Sequence, residues 1–165
     1  MQYREFGKTG VKISALGFGA MRLPEFEKDG KWYMDEEESL KIIHRAFELG
    51  VNYIDTAYGY SHGNNEYIVG KALRGYRDRV YISTKVPTWL VKKKDDYRRF
   101  LEEQLRRLDT DYIDFYHFHS VSKDSWENII LKFNLLDDAR KAKDEGLIKH
   151  ISFSFHDKPE IMKEI

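Results

Sequence analysis

The sequence has 165 residues, with 28 Lys plus Arg against 28 Asp plus Glu and no cysteine. A formally neutral chain has no whole-molecule field drawing it to nucleic acid or an anionic membrane, and without cysteine it can form neither a disulfide nor a thiolate metal site. Hydrophobic residues at 41% and aromatics at 15% exclude disorder and suit one domain of ordinary size.

No apolar run approaches the roughly 18 residues that a membrane span requires. The start, from Met1 to Phe6, lacks a basic segment followed by an apolar stretch, so no signal peptide is expected and the cytoplasm is the expected compartment.

In chain order, residues 3–6 and 11–14 read as two short strands around a glycine turn at 7–10. Residues 15–23 (ALGFGAMRL) form a short apolar strand, and residues 24–34, with Pro24, Gly30 and mixed charges, suit a loop. Asp35 then caps a helix in which Leu40, Ile43 and Phe47 share a face and Gly50 ends the run. Residues 51–57 are the next strand, 64–73 the next helix, and 80–86 a strand bounded by Pro87. A helix follows over 95–108, with Tyr97, Leu101, Leu105 and Leu108 on one side, then a strand over 112–119. One long helix is expected over 124–144 and a fifth strand over 150–156, after which Asp157-Lys158-Pro159 opens a further helix.

Strands and helices alternating at about 30 residues indicate parallel βαβ units. Two architectures satisfy that pattern, an open doubly wound sheet and a (β/α)8 barrel. An open nucleotide-binding sheet should carry G-x-G-x-x-G after its first strand. Gly17-Phe18-Gly19 supplies only its first half. The leading hairpin lies outside the βα repeat and suggests a plug over a barrel end. A complete barrel takes about 250 residues, so five strands predict its N-terminal part. The expected domain is therefore 1–165, with the hairpin in 1–14 and strands one to five with their helices in 15–165.

Active sites in such folds lie at the C-terminal ends of the strands. Those ends carry Asp55 with Tyr60 just beyond it, Lys85, and His119. Singly, Asp55 could cap a turn, Tyr60 could be one aromatic among many, and either His117 or His119 could be structural. Together they have a chemical logic. Lys85 paired with Asp55 is expected to keep its charge, which next to Tyr60 would lower the phenol's pKa toward neutrality. Such a tyrosine can protonate a carbonyl oxygen, while His119 hydrogen-bonds the same oxygen.

The run from Tyr53 to Tyr60 with Asn65-Glu66, the strand 82–86 around Lys85, and the segment 105–119 ending in His119 resemble three motifs of the aldo-keto reductase family, in the same order. Residues 4–19 resemble its N-terminal hairpin and first strand, so the resemblance covers essentially the whole chain. It implies a (β/α)8 barrel, NADPH (or NADH) as cofactor, a small-molecule carbonyl substrate, and Asp55, Tyr60, Lys85 and His119 as the catalytic residues. The cofactor contacts it implies are Gly19, Met21, Asp55, Ser154 and Phe155; it implies no metal.

There are departures. His117 stands where the family usually has an apolar residue, and Phe155 where many members have Asn; Ser-Phe-His at 154–156 looks more like bacterial branches. The family's grip on the adenosine 2′-phosphate lies beyond strand five. The run Lys92-Lys93-Lys94 reads as a solvated face and does not replace it. Phe26, Trp32, Trp89 and Leu90, in the loops 24–34 and 87–94, either line an apolar pocket or cover the rim. The alternatives are a non-catalytic binding or regulatory protein on the same fold, and an inactive fragment that needs a second chain or self-association to cover its apolar strand edges.

Overall fold

The structure is a computed structural model that describes residues 1–165. Strands β1 (Tyr3–Glu5) and β2 (Lys12–Ser14) pair antiparallel, with Tyr3 opposite Ser14. Five further strands form one parallel sheet. They are β3 (Phe18–Gly19), β6 (Tyr53–Asp55), β7 (Tyr81–Val86), β8 (Ile113–Val121) and β9 (Ile148–Phe155), and each neighbours the next in chain order. A doubly wound sheet reverses its strand order at a switch point. Here the order never reverses, so the sheet winds as a (β/α)8 barrel does, the architecture expected from the sequence.

The helices are α1 (Glu36–Glu48), α2 (Asn65–Leu73), α3 (Asp96–Leu108), α4 (Lys123–Ser125), α5 (Leu135–Asp144) and α6 (Pro159–Glu164). Asp35 caps α1 as expected, its carboxylate accepting from the Glu38 amide at 3.0 Å. Strand alternation sends Ile54, Ile82, Val86, Tyr116 and Phe118 outward into a core with Ile43, Leu101 and Leu108 of the helices. Burying each such side chain contributes about 1.5–3 kcal/mol. Helices α2 and α3 cross with their backbones in contact. A Cβ built on Gly70 would meet the Leu108 carbonyl at 2.7 Å.

The first hairpin closes the lower end of the inner face, as the plug reading anticipated. The Phe6 ring lies 5.0 Å from Phe115 and 5.8 Å from Tyr53, edge-on to both. Asn52 fastens it by accepting from the Ser14 amide at 2.6 Å and donating to the Lys12 carbonyl at 3.0 Å.

Three expectations need correction. Residues 24–34 are a hairpin, with β4 (Glu25–Lys28) and β5 (Lys31–Met34) joined by Asp29 and Gly30 at φ +54° and +71°. Two consecutive positive φ values make the primed turn that an Asp-Gly pair favours. The helix expected over 124–144 is broken. After α4 it widens into a π-helical stretch, Trp126–Leu131, and stops at Asn134, whose φ is +54°, before α5 begins. The first strand contracts to two residues, because Ala20–Arg22 coil into a 3-10 turn.

Candidate active site

Strand β6 ends at Asp55, which pairs in register with Ser83, so Lys85 lies two residues further along β7 on the same face, within reach of the carboxylate. The Lys85 ammonium donates to Asp55 Oδ1 at 2.9 Å, Asp55 Oδ2 at 2.7 Å and the Thr56 carbonyl at 2.6 Å. All three ammonium protons therefore have acceptors, as a cation buried to 6% exposure requires. Ser83, two residues before Lys85 on the same face, donates to Asp55 Oδ1 at 2.6 Å.

Tyr60 enters from the 3-10 turn Tyr60–Gly63, which places its ring centroid 4.8 Å from the ammonium. Lys85 thus acts on this ring through its charge and not through a hydrogen bond. His119 comes from the upper end of β8, its ring centroid 6.1 Å from that of Tyr60 and edge-on to it. A bulge follows immediately. Phe118 pairs with Phe153 but Val121 with Phe155, one residue extra on β8, and Ser120 adopts φ +53°. The His119 carbonyl accepts from Thr88 Oγ1 at 2.7 Å, and the Trp89 ring packs 5.0 Å from the imidazole. The structure thus brings Asp55, Tyr60, Lys85 and His119 together.

Burial, with the Lys85 charge adding to it, pushes the His119 pKa down to about 4. Burial likewise takes His117 to about 4, with Lys85 adding and Asp55 opposing. Both imidazoles are therefore neutral at pH 7. They differ in their partners. His117 Nδ1 is 2.6 Å from Ser152 Oγ, whereas His119 Nδ1 is buried and unpartnered.

The five cofactor residues do not all converge. Gly19 lies opposite Asp55 in register, with open space where a side chain would be. Met21 is half exposed in the turn after β3. Ser154 Oγ accepts from the Ser120 amide at 2.8 Å, and its hydroxyl proton has no protein acceptor. Phe155 points the other way, against the outer core, so it does not join the inner-face groups. Of the apolar rim residues, Trp89 reaches the site, and Trp32 stacks 6.3 Å from His62 of the Tyr60 turn.

Sequence reasoning passed over the polar groups behind the site. Asn65, fully buried, accepts from Thr56 Oγ1 at 2.7 Å and donates to the Ala20 carbonyl at 2.7 Å and to Ser61 Oγ at 3.2 Å. Glu66, also fully buried, accepts from Thr84 Oγ1 at 2.6 Å and from Gln104, and pairs with Arg107 at 3.3 Å. Burial pushes the Glu66 carboxyl above the usual range against the pull of these donors. Both residues stood in a motif that the sequence displays, but a charged residue on a helix there carries no mark of its burial.

The model of the aldo/keto reductase family matches residues 15–165. An uncharacterized oxidoreductase of Bacillus subtilis, YqkF, is 32% identical over 99% of this chain and 52% of its own length. Among solved structures, the holo form of aldo-keto reductase AKR11C1 from Bacillus halodurans superposes with a TM-score of 0.82 at 32% identity, covering 99% of this chain and 53% of that one. A Klebsiella pneumoniae aldo-keto reductase in complex with NADPH gives 0.76 at 29% identity, over 93% of this chain and 49% of that one. The chain spans about half the length of the curated relatives it matches.

Proposed function

The chain belongs to the aldo/keto reductase family, and from that premise we propose that it carries out NAD(P)H-dependent reduction of aldehydes or ketones to alcohols. The observation that carries this reading is the Lys85 ammonium, held on both oxygens of Asp55 with the Tyr60 ring 4.8 Å away. Tyr60 gives its phenolic proton to the carbonyl oxygen. The Lys85 charge, held in place by Asp55, stabilises the negative charge left on the phenol oxygen. His119, neutral at pH 7, hydrogen-bonds the carbonyl oxygen and orients the substrate.

The strand ends fit the nicotinamide end of the cofactor. Gly19 leaves open space beside Asp55, the Ser154 hydroxyl has a proton to donate to a carboxamide, and Met21 borders the same rim. When bound there, NADPH (or NADH) supplies the hydride that reaches the carbonyl carbon.

Residues 1–165 act as one domain in this reading, with 1–14 as the plug and 15–165 supplying five barrel strands. The edges of the sheet at β3 and β9 are paired in the working molecule by further strands, of this or another chain. No helix is long and apolar enough to cross a membrane, and a cytoplasmic place is part of the same proposal.

Tyr60→Phe tests the assignment. It should abolish nearly all carbonyl-dependent oxidation of NADPH while leaving the cofactor's quenching of tryptophan fluorescence unchanged. A kcat above about a tenth of the original, a barrier change under ~1.4 kcal/mol, removes Tyr60 as proton donor.

A further inference from the structure

We infer that Arg107, braced by Glu66, is a positioning residue that sets the Tyr60 turn against the Lys85 strand; this inference rests on the reductase reading above. Arg107 lies in the last turn of α3, its side chain 11% exposed. Its Nη1 donates to the carbonyls of Tyr58 at 3.3 Å and Gly63 at 3.4 Å, and to Glu66 Oε2 at 3.3 Å. Each bond is long because one nitrogen is shared among three oxygens. The two carbonyls bracket Tyr60, one before it and one after. The guanidinium also stacks 4.0 Å over the Tyr58 ring, and Nη2 donates to Glu103 at 2.6 Å.

The bracketed segment needs holding. Ser61 and His62 sit at φ +50° and +56°, a left-handed conformation that residues with side chains adopt only when their surroundings impose it. Two attachments impose it here: Asn65 to Ser61, and Arg107 to both ends of the turn.

Glu66 joins this clamp to the other half of the site. One of its oxygens pairs with Arg107 and the other accepts from Thr84, the residue before Lys85. Gln104 donates to Glu66, to Thr84 Oγ1 at 3.0 Å and to the Lys85 carbonyl at 3.1 Å. Its own side-chain carbonyl accepts from Tyr116 at 2.7 Å. One buried network therefore grips the backbone on both sides of Tyr60 and the backbone of Lys85, and touches neither reacting group. Nη1 serves the three clamp acceptors while Nη2 holds Glu103, two nitrogens fixed in one plane that a lysine's single ammonium cannot reproduce.

The test compares Arg107→Lys, Arg107→Met and the isosteric Glu66→Gln with Arg106→Met, which alters an exposed neighbour on the same helix. Backbone hydrogen exchange reads the clamp without requiring activity. Both Arg107 variants should exchange residues 58–63 at least about tenfold faster while the centres of β7 and β8 stay protected. Their kcat for carbonyl reduction should fall about tenfold or more, with cofactor KM within about twofold. Glu66→Gln, which keeps one accepting oxygen but loses the charge and the second acceptor, should show the same changes, smaller. Arg106→Met should show neither.

If Arg107→Met does not fold, Arg107→Lys and Glu66→Gln decide the question. Unchanged exchange at 58–63 overturns the clamp. Faster exchange there with an unaltered kcat overturns its role in positioning Tyr60. Should Tyr60→Phe retain its kcat, the reductase reading fails, and the exchange data still decide whether Arg107 holds the turn.

Discussion

On the outer face of the sheet, Ile54, Ile82 and Tyr116 are buried in the apolar core against α1, α2 and α3, interrupted only by the Thr84–Glu66–Gln104 network that Tyr116 joins. On the inner face the alternate residues of the same strands, Asp55, Ser83, Lys85 and His117, are bonded to one another or to Ser152. A strand's period of two lets six residues of β7 serve both purposes. The outer residues anchor the strand ends to the helices, and that anchoring keeps the inner groups at fixed separations without any substrate present. Substitution of the outer apolar residues should therefore act mainly on stability, and substitution of the inner charged groups mainly on chemistry.

The largest expected effect is on the outer face. Ile82→Ala opens a cavity in a fully buried position and should lower unfolding free energy by about 2–5 kcal/mol. Urea denaturation measures this, and a loss below ~1 kcal/mol would mean that the outer core repacks freely and does not anchor the strand. Next comes Lys85→Met on the inner face. Carbonyl reduction should drop about a hundredfold, ~2.7 kcal/mol in barrier, with NADPH affinity nearly unchanged. If the variant keeps its rate, the positive charge beside Tyr60 is dispensable and the inner face loses its claim to chemistry.

The smallest effect sharpens the contrast through pH. His117 and His119 are held near pKa 4 in the folded state, below the ordinary 6.5, so between those values the unfolded chain binds more protons. Stability should then fall as pH drops through 6.5 and go on falling toward about 4. His117→Leu should flatten part of that slope and leave carbonyl reduction almost intact. Parallel stability curves for the two proteins would show that His117 is not held neutral by its burial.

What was legible in the sequence follows the same division. Strand–helix alternation and the polar groups at strand ends are local signals, and they located the parallel sheet and the cluster of Asp55, Tyr60, Lys85 and His119. The β4–β5 hairpin had its signal too, in Asp29-Gly30, but its strands are exposed, the first mostly charged and the second with Trp32, Tyr33 and Met34 consecutive, so neither shows the apolar alternation of a half-buried strand. The break in the helix over 124–144 depends on one backbone angle at Asn134, within a run whose apolar spacing continues across it. Phe155 followed from a motif position, whereas its direction is set by the alternation of β9. The Glu66–Arg107 pair spans 41 residues, and no local pattern announces such a contact.

The close crossing of α2 and α3 gives the molecule a gauge. Gly70 and Glu66 lie one turn apart on the same side of α2, one against the backbone at Leu108 and the other against the Arg107 side chain. The distance over which Arg107 can reach the Tyr60 turn is thus calibrated where a side chain is missing, on a surface that no substrate visits. If Arg107 holds the Tyr60 turn, a single methyl group at Gly70, pressed against the Leu108 backbone, would shift that hold from a point between two helices.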